Sequence, residues 1–156
     1  SLGHGLPIAT GMAFARKKTK KKGQIYVMIS DGECQEGTTW ESLLIASKHR
    51  LNNLTILIDY NKIQALDFLN DALPLDNLKN KIESFNCNCV EVKNGHNFKE
   101  IDKAFKKKFR KNKPIVIIFN TVKGKGIKKF ENDPAWHAKK LSGDNIATGR
   151  KILEID

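Results

Sequence analysis

Two short polar segments in this sequence carry side chains that suit a divalent metal ion bound to a phosphate group. The first is Asp31-Gly32, which follows an apolar run, and the second is Asn61, which follows another apolar run 30 positions later. A carboxylate, an amide oxygen and nearby backbone carbonyls are ligands that suit Mg²⁺ or Ca²⁺. Gly32 would let a phosphate group approach the backbone closely. Taken alone, each segment is also typical of a turn or a helix cap.

Apolar runs alternate with helical patterns along most of the chain, and this alternation decides where those segments lie. We predict strands at residues 25–30, 54–59, 89–93 and 114–120, and helices at 6–18, 38–49, 78–85, 98–109 and 133–140. The alternation predicts an α/β fold with a mostly parallel sheet and helices on both faces. Ligands of such sheets bind beyond the carboxyl ends of the strands. We therefore expect the segments after residues 30, 58 and 120 to form the site.

Length and composition restrict the class of protein. A chain of 156 residues, 40% of them hydrophobic, can form a single domain with its own core, and we expect residues 1–156 to do so. The apolar runs are too short to span a bilayer, so we expect no membrane association. The three cysteines, Cys34, Cys87 and Cys89, fit neither a disulfide framework nor a zinc site. They predict reduced thiols in a cytoplasmic protein.

The formal net charge of +11 is concentrated at residues 16–22, 106–113 and 123–129. Such clusters permit an anionic partner, which could be a nucleic acid, a membrane surface or a phosphorylated small molecule. The first two clusters lie where helices should end, and cations stabilise helix C-termini. Aromatic residues make up only 8% of the chain, and we find no stacking platform or reading helix. A basic nucleic-acid-binding module is therefore an alternative that we disfavour.

Five segments, in order along the chain, resemble the diphosphate-binding module of transketolase. The resemblance is strongest to the separate amino-terminal subunit of split transketolases, and it covers about residues 1–140. The segments are SLGHG at 1–5, DGECQEG at 31–37, DYNKIQ at 59–64, TVKGKG at 121–126 and PAWH at 134–137. The resemblance implies the thiamine-diphosphate-binding fold, with thiamine diphosphate and Mg²⁺ (or Ca²⁺) as cofactors. The implied reaction transfers a two-carbon ketol unit between sugar phosphates.

The resemblance also implies ligands for the metal and the diphosphate. Asp31 and Asn61 would bind the metal through their side chains, and Ile63 through its backbone carbonyl. Gly32 would lie against the diphosphate, and Glu33 belongs to the same cofactor-binding motif. Ser30 stands where the family usually has glycine, and its side chain is expected to point away from the cofactor.

The catalytic roles implied by the resemblance fall on other residues. Leu2 and Gly3 match the loop that touches the thiazolium and diphosphate end of the cofactor, and His4 is expected to lie close to it. Glu36 matches a carboxylate at the subunit interface, in the network that organises the aminopyrimidine. His137 matches a histidine near the diphosphate and the reacting carbon, and histidine can transfer protons near neutral pH.

Other parts of the family's active site are expected outside this sequence. The family places further catalytic histidines upstream of the Leu2-Gly3 loop, so we expect residues 1–156 to lack the amino-terminal part of the module. The aminopyrimidine half, with its activating glutamate, belongs to another domain or subunit. We therefore expect a carboxy-terminal transketolase subunit or domain as partner, in a homo-oligomer or heterotetramer, and no activity from this chain alone.

Two further readings of the resemblance remain open. The chain could be a truncated or inactive relative of transketolase, folded but without activity. It could also belong to a deoxyxylulose-phosphate synthase, although the turn at residues 33–37 is more similar to that of transketolase.

Overall fold

The structure is a computed structural model that describes residues 2–65, 67–109 and 111–155. Within these residues, four parallel strands form one sheet in the order β1-β2-β4-β3. The strands are β1 (Ile25–Ser30), β2 (Leu54–Tyr60), β3 (Asn88–Val92) and β4 (Ile115–Asn120). The apolar runs of β2 and β4 form the two central strands, where side chains on both faces are covered. The predicted α/β fold with a parallel sheet is confirmed.

Helices follow the strands as the alternation predicts. They are α1 (Gly5–Lys18), α2 (Gly37–Lys48), α3 (Leu69–Ala72), α4 (Leu78–Ser84), α5 (Phe98–Lys106) and α6 (Asp144–Ile152). The short α3 and the terminal α6 were not predicted. Helix α5 ends before the predicted residue 109 because Lys107 adopts an extended conformation.

The helix predicted at residues 133–140 is wrong beyond its first turn. Pro134–His137 form a single 3₁₀ turn, capped by the Asp133 side chain, which accepts a hydrogen bond from the backbone N–H of Ala135 at 2.9 Å. The turn stops because Ala138 has φ −132° and leaves the helical region. Asp133 and Pro134 are strong helix-start signals, and the sequence reading extended them too far.

Two apolar clusters cover the two faces of the sheet. Helices α1, α2 and α4 pack on one face, and the fully buried side chains of that cluster include Leu6, Leu54, Ile56, Ile58, Ile82, Val116 and Ile118. Helix α5 packs on the other face through Ala104, against Val92, Ile117 and Phe119. The prediction of helices on both faces is confirmed. On β1, however, Tyr26 and Met28 are 58% and 66% exposed.

The register of the sheet brings the carboxyl ends of the strands to one edge. Ser30 pairs with Asp59, Tyr60 pairs with Asn120, and Val92 pairs with Phe119. The segments that follow β1, β2, β3 and β4 therefore meet at this edge. In the described part of the chain, the helices lack the combined length and apolar character needed to cross a membrane.

Candidate functional site

Asp31, directly after β1, is the centre of the polar group at this edge. It is only 1% exposed. One carboxylate oxygen, Oδ1, accepts the backbone N–H of Gly32 at 2.8 Å, and Oδ2 accepts the backbone N–H of Lys62 at 2.6 Å. Since Lys62 follows β2, the second bond ties the ends of two neighbouring strands together.

The cost of burying the negative charge of Asp31 is only partly offset by its surroundings. Burial raises the pKa of this carboxyl, while the N–H groups of Lys62 and Gly32 act in the opposite direction. Nearby Asp59 adds to the rise, and the positive charge of Lys123 opposes it. None of the ion pairs among the described residues includes Asp31. A bound cation would supply the charge that this buried carboxylate lacks.

Asn61 directly follows β2 and directly precedes Lys62, whose backbone N–H binds Asp31. Its Oδ1 accepts the backbone N–H of Ile63 at 3.1 Å, which leaves a second lone pair on that oxygen. Ile63 itself is 2% exposed and forms an isolated bridge to Phe68. Lys62, between them, has φ 66°, and its N–H is the one that reaches Asp31. The segment after β2 is therefore tightly folded around the carboxylate.

The described side chains at this edge could offer a metal ion a carboxylate oxygen and an amide oxygen. They do not form a cluster of acidic or thiolate ligands. Across the described ranges, no three His, Cys, Asp or Glu side chains are grouped so that they could hold a metal ion. One carboxylate and one amide oxygen would leave most of the coordination sphere to carbonyl groups, water and a ligand's oxygens. Mg²⁺ bound to a diphosphate has this kind of coordination, so the residues present fit the metal.

The fold itself does not require glycine at position 32. A Cβ placed there would lie 3.8 Å from Ser30 Oγ and 4.0 Å from Gln64 Cβ, both ordinary contacts. Its φ is not positive, so the backbone would accept another residue. The absence of a side chain at this position therefore keeps space open beside Asp31, as a closely approaching ligand would need.

Glu33 connects the site to the amino-terminal loop. One carboxylate oxygen, Oε1, accepts the backbone N–H of Gly3 at 3.3 Å, and Oε2 accepts that of Ser30 at 2.9 Å. Ser30 Oγ in turn accepts the backbone N–H of Glu33 at 3.2 Å, so the serine side chain caps this turn. The unusual residue at position 30 is thus accommodated.

Gly3 is held by two hydrogen bonds and by close packing. Besides the bond to Glu33, its carbonyl accepts the Thr38 hydroxyl at 3.0 Å. Its φ is 77°, and an added Cβ would lie 2.8 Å from Thr38 Oγ1 and 2.9 Å from Glu36 Cβ. Only glycine satisfies both the conformation and the space. Glu36, the N-cap residue of α2, is half-buried against this loop.

The remaining predicted site residues are more exposed. Leu2 is 57% exposed, and His4, the N-cap residue of α1, is exposed as well. His137 ends the 3₁₀ turn and is exposed, and within the described residues no hydrogen bond or ion pair joins it to the Asp31 group. The ring of its neighbour Trp136 packs on Phe130 at 4.1 Å between centroids. The site roles of these three exposed residues remain predictions.

Two contacts that the sequence reading missed complete the edge. The Thr121 hydroxyl, after β4, donates a short hydrogen bond to Oδ1 of Asp59 at the end of β2. His96, in the segment after β3, accepts the backbone N–H of Val122 through Nε2 at 2.8 Å. The tendency of ligands to bind beyond the carboxyl ends of parallel strands was the signal for both contacts. Thr121 lies within a segment selected in this way, whereas the loop of His96, after β3, was not selected.

Comparison with known proteins identifies the family. The family model described as "Transketolase, thiamine diphosphate binding domain" matches residues 1–156. This chain belongs to the transketolase family. The resemblance and the thiamine-diphosphate-binding fold stated from the sequence are thereby confirmed.

Relatives from two-subunit transketolases are similar over most of the chain. One subunit of the apulose-4-phosphate transketolase of Actinobacillus succinogenes is 41% identical over 154 residues, which cover 99% of this chain and 55% of that protein. The 6-deoxy-6-sulfo-D-fructose transketolase subunit SqwG of a Clostridium species is 38% identical over 143 residues, covering 91% and 52%. The chain thus spans about half the length of these transketolase subunits.

The fold is also similar to solved transketolases. The crystal structure of transketolase from Campylobacter jejuni superposes with a TM-score of 0.90 and 29% sequence identity, over 99% of this chain and 25% of that one. The four-stranded sheet and its strand-end loops therefore correspond to part of a much larger transketolase chain.

Proposed function

We propose that this chain supplies the diphosphate-binding half of a transketolase active site. Together with a carboxy-terminal subunit or domain, it would transfer a two-carbon ketol unit between sugar phosphates. The observation that carries the proposal is the buried Asp31 carboxylate, held by the backbone N–H of Lys62 beside Asn61. Two further facts support the proposal: the chain belongs to the transketolase family, and it is similar to subunits of two-subunit transketolases.

In this proposal, Mg²⁺ is bound by the side chains of Asp31 and Asn61 and by the carbonyl of Ile63. Ca²⁺ could take the same place, since both ions prefer oxygen ligands. Gly32 would make room for the diphosphate, since it has no side chain at this place. Bound there, the metal would offset the charge of the diphosphate and that of Asp31.

The reacting end of thiamine diphosphate would lie along the loop of Leu2 and Gly3. When bound, the cofactor supplies the carbanion chemistry of the reaction. Gly3 is fixed by Glu33 and Thr38 and orients this end of the site. His4 and His137 are proposed to hold or move protons near the reacting carbon, since histidine titrates near neutral pH.

The partner would complete the site from outside this chain. Glu36, beside Gly3, is proposed to reach the aminopyrimidine network at the subunit interface. Exposed apolar side chains on α1 and α2 support a partner surface there; they are Ile8, Met12, Leu44 and Ile45. A homo-oligomer or heterotetramer in the cytoplasm is the assembly we propose. The relatives named above act on a phosphorylated sugar and a sulfonated sugar, and we propose sugar phosphates for this chain.

Reconstitution tests the proposed activity. This chain is mixed with a carboxy-terminal transketolase subunit, thiamine diphosphate and Mg²⁺, and ketol transfer from a ketose phosphate to an aldose phosphate is followed. We expect transfer only when both chains, the cofactor and the metal are present. An Asp31→Ala variant should be inactive, whereas Asp71→Ala, at an exposed carboxylate, should be fully active. Cofactor binding by the assembled complex without ketol transfer would contradict the activity and favour an inactive relative.

A further inference from the structure

The segment after β3, residues 94–97, packs tightly on the segment after β4. The backbone N–H of Gly95 donates to the carbonyl of Asn120 at 2.7 Å. A Cβ at Gly95 would lie 2.7 Å from Thr121 Cγ2 and 2.9 Å from the Asn120 carbonyl oxygen. This close approach requires glycine and brings the next residue, His96, against Val122.

We propose that His96 is a positioning residue of the cofactor site. Its Nε2 accepts the backbone N–H of Val122 and thereby fixes the loop that carries Lys123. The inference rests on the function proposed above, and it concerns a residue outside the family-motif segments used there. His96 acts through the backbone of its neighbour rather than by touching the cofactor.

The hydrogen bond from Val122 specifies the tautomer of the His96 ring. The Val122 N–H donates to Nε2 at 2.8 Å, so this nitrogen carries no proton and the ring proton is on Nδ1. The backbone around the ring is also held. The His96 N–H donates to Asn94 Oδ1 at 3.0 Å, and the Asn94 N–H donates to Glu100 Oε2 at 3.0 Å. Helix α5 thus anchors the loop from which the imidazole projects.

The loop that His96 holds leads to the Asp31 group. Thr121, one residue before Val122, is bonded to Asp59 through its hydroxyl and to the Tyr60 carbonyl through its N–H. Lys123, one residue after, is half-buried, and its charge acts on Asp31. The carbonyls of this loop are held from the other side, where Val122 accepts the N–H of Lys125 at 3.2 Å and Lys123 accepts that of Asn132 at 3.0 Å. His96 holds the Val122 N–H, and in the proposal its loss loosens the backbone that sets the position of Lys123.

Heteronuclear NMR on the full chain tests the first part of this proposal. We expect the ring nitrogens of His96 to show the Nδ1–H form in the wild type. In His96→Ala, the Val122 amide should exchange with solvent about tenfold faster, because its acceptor is lost. His96→Gln should restore most of the protection, since its amide oxygen can accept the same N–H. His49→Ala, at the end of α2, is the matched control and should leave Val122 unchanged.

Calorimetric titration of the same variants with thiamine diphosphate and Mg²⁺ tests the second part. We expect about tenfold weaker binding for His96→Ala, near wild-type binding for His96→Gln, and no change for His49→Ala. Equal exchange of Val122 in wild type and His96→Ala would overturn the proposal. So would a loosened loop with unchanged cofactor affinity. Absence of binding by the wild type, both in isolation and with a carboxy-terminal subunit, would instead count against the proposed function.

Discussion

Oδ2 of Asp31 accepts the backbone N–H of Lys62 at 2.6 Å, which joins the ends of β1 and β2. This bond fixes a buried carboxylate to the segment that contains Asn61, although Asp31 and Asn61 are 30 positions apart in the sequence. Both strands end at the same edge because they are parallel and in register, with Ser30 opposite Asp59. The arrangement brings a carboxylate and the segment with an amide side chain to the same edge of the sheet, where we propose that both bind the metal.

The buried charge of Asp31 should make stability depend on pH when metal is absent. Burial raises the folded-state pKa of Asp31 above its ordinary value of 3.8, so the folded state binds this proton more tightly than the unfolded state. Stability then falls as the pH rises from about 4 through the raised pKa, because ionised Asp31 is disfavoured in the folded chain. We expect Asp31→Asn, which does not titrate, to gain stability relative to wild type over this window.

Urea unfolding at a series of pH values, with a metal chelator present, measures this difference. Addition of Mg²⁺ or Ca²⁺ at neutral pH should then stabilise the wild type and not the variant, because only the wild type has the carboxylate that we propose as the ligand. A free-energy difference between the two proteins that stays constant with pH would show that Asp31 does not titrate as its burial implies.

A substitution at Gly32 should affect cofactor affinity far more than stability. We expect Gly32→Ala to change the free energy of unfolding by less than about 1 kcal/mol, because its Cβ meets only ordinary contacts. Affinity for thiamine diphosphate with Mg²⁺ should nevertheless fall about tenfold or more, since the new methyl group would occupy space that we assign to the diphosphate. Calorimetry and urea unfolding on the same sample measure both quantities. Unchanged affinity would place the diphosphate elsewhere.

Glu33 should be important for the fold of the amino-terminal loop. Glu33→Ala removes the acceptor of two backbone N–H groups, those of Gly3 and Ser30, and should cost about 1–3 kcal/mol of unfolding free energy. Glu83→Ala is the matched control, because Glu83 is exposed and its ion pair with Lys79 is a long surface contact of 4.0 Å. It should cost less than about 1 kcal/mol. Equal losses in the two variants would contradict the anchoring role of Glu33.

The three cysteines should be inert in the native protein. Burial raises the pKa of Cys34, Cys87 and Cys89 to about 12 each, so almost no thiolate exists at neutral pH. We expect a thiol-reactive chromogenic reagent at pH 8 to modify them only after the chain is unfolded in urea. Rapid reaction of a native cysteine would reveal a reactive thiol, for which the proposed mechanism has no role.

Much of this fold follows from sequence patterns. The strands were identified from short apolar runs, and β1 has the predicted boundaries because its mainly apolar segment lies between Gln24 and Asp31. The helix at 133–140 was wrong because a strong capping signal says where a helix starts and not how far it continues. Helix α6 was missed because Gly149 within it weakens the helical pattern, and Gly143 before it is a less common N-cap residue than serine or aspartate.

The sequence allowed the candidate site to be proposed, although the roles of its residues remain predictions. Asp31, Asn61 and Gly3 could be proposed from their motifs, and the structure adds the bonds that hold each of them. The bond between Glu33 and Gly3 could not be foreseen, since it joins residues 30 positions apart. The contact of His96 with Val122 depends on the order of β3 and β4 in the sheet, which the alternation of strands and helices does not determine.

The most direct test of the account is a calorimetric titration of thiamine diphosphate into this chain, with and without Mg²⁺. The wild type, Asp31→Ala and Asn61→Ala are compared, with Asp71→Ala as the control, and a parallel series contains a carboxy-terminal transketolase subunit. We predict binding by the wild type that requires the metal and is lost in both site variants but retained in the control. Binding that is independent of the metal or of both side chains, or no binding in either series, would contradict the account.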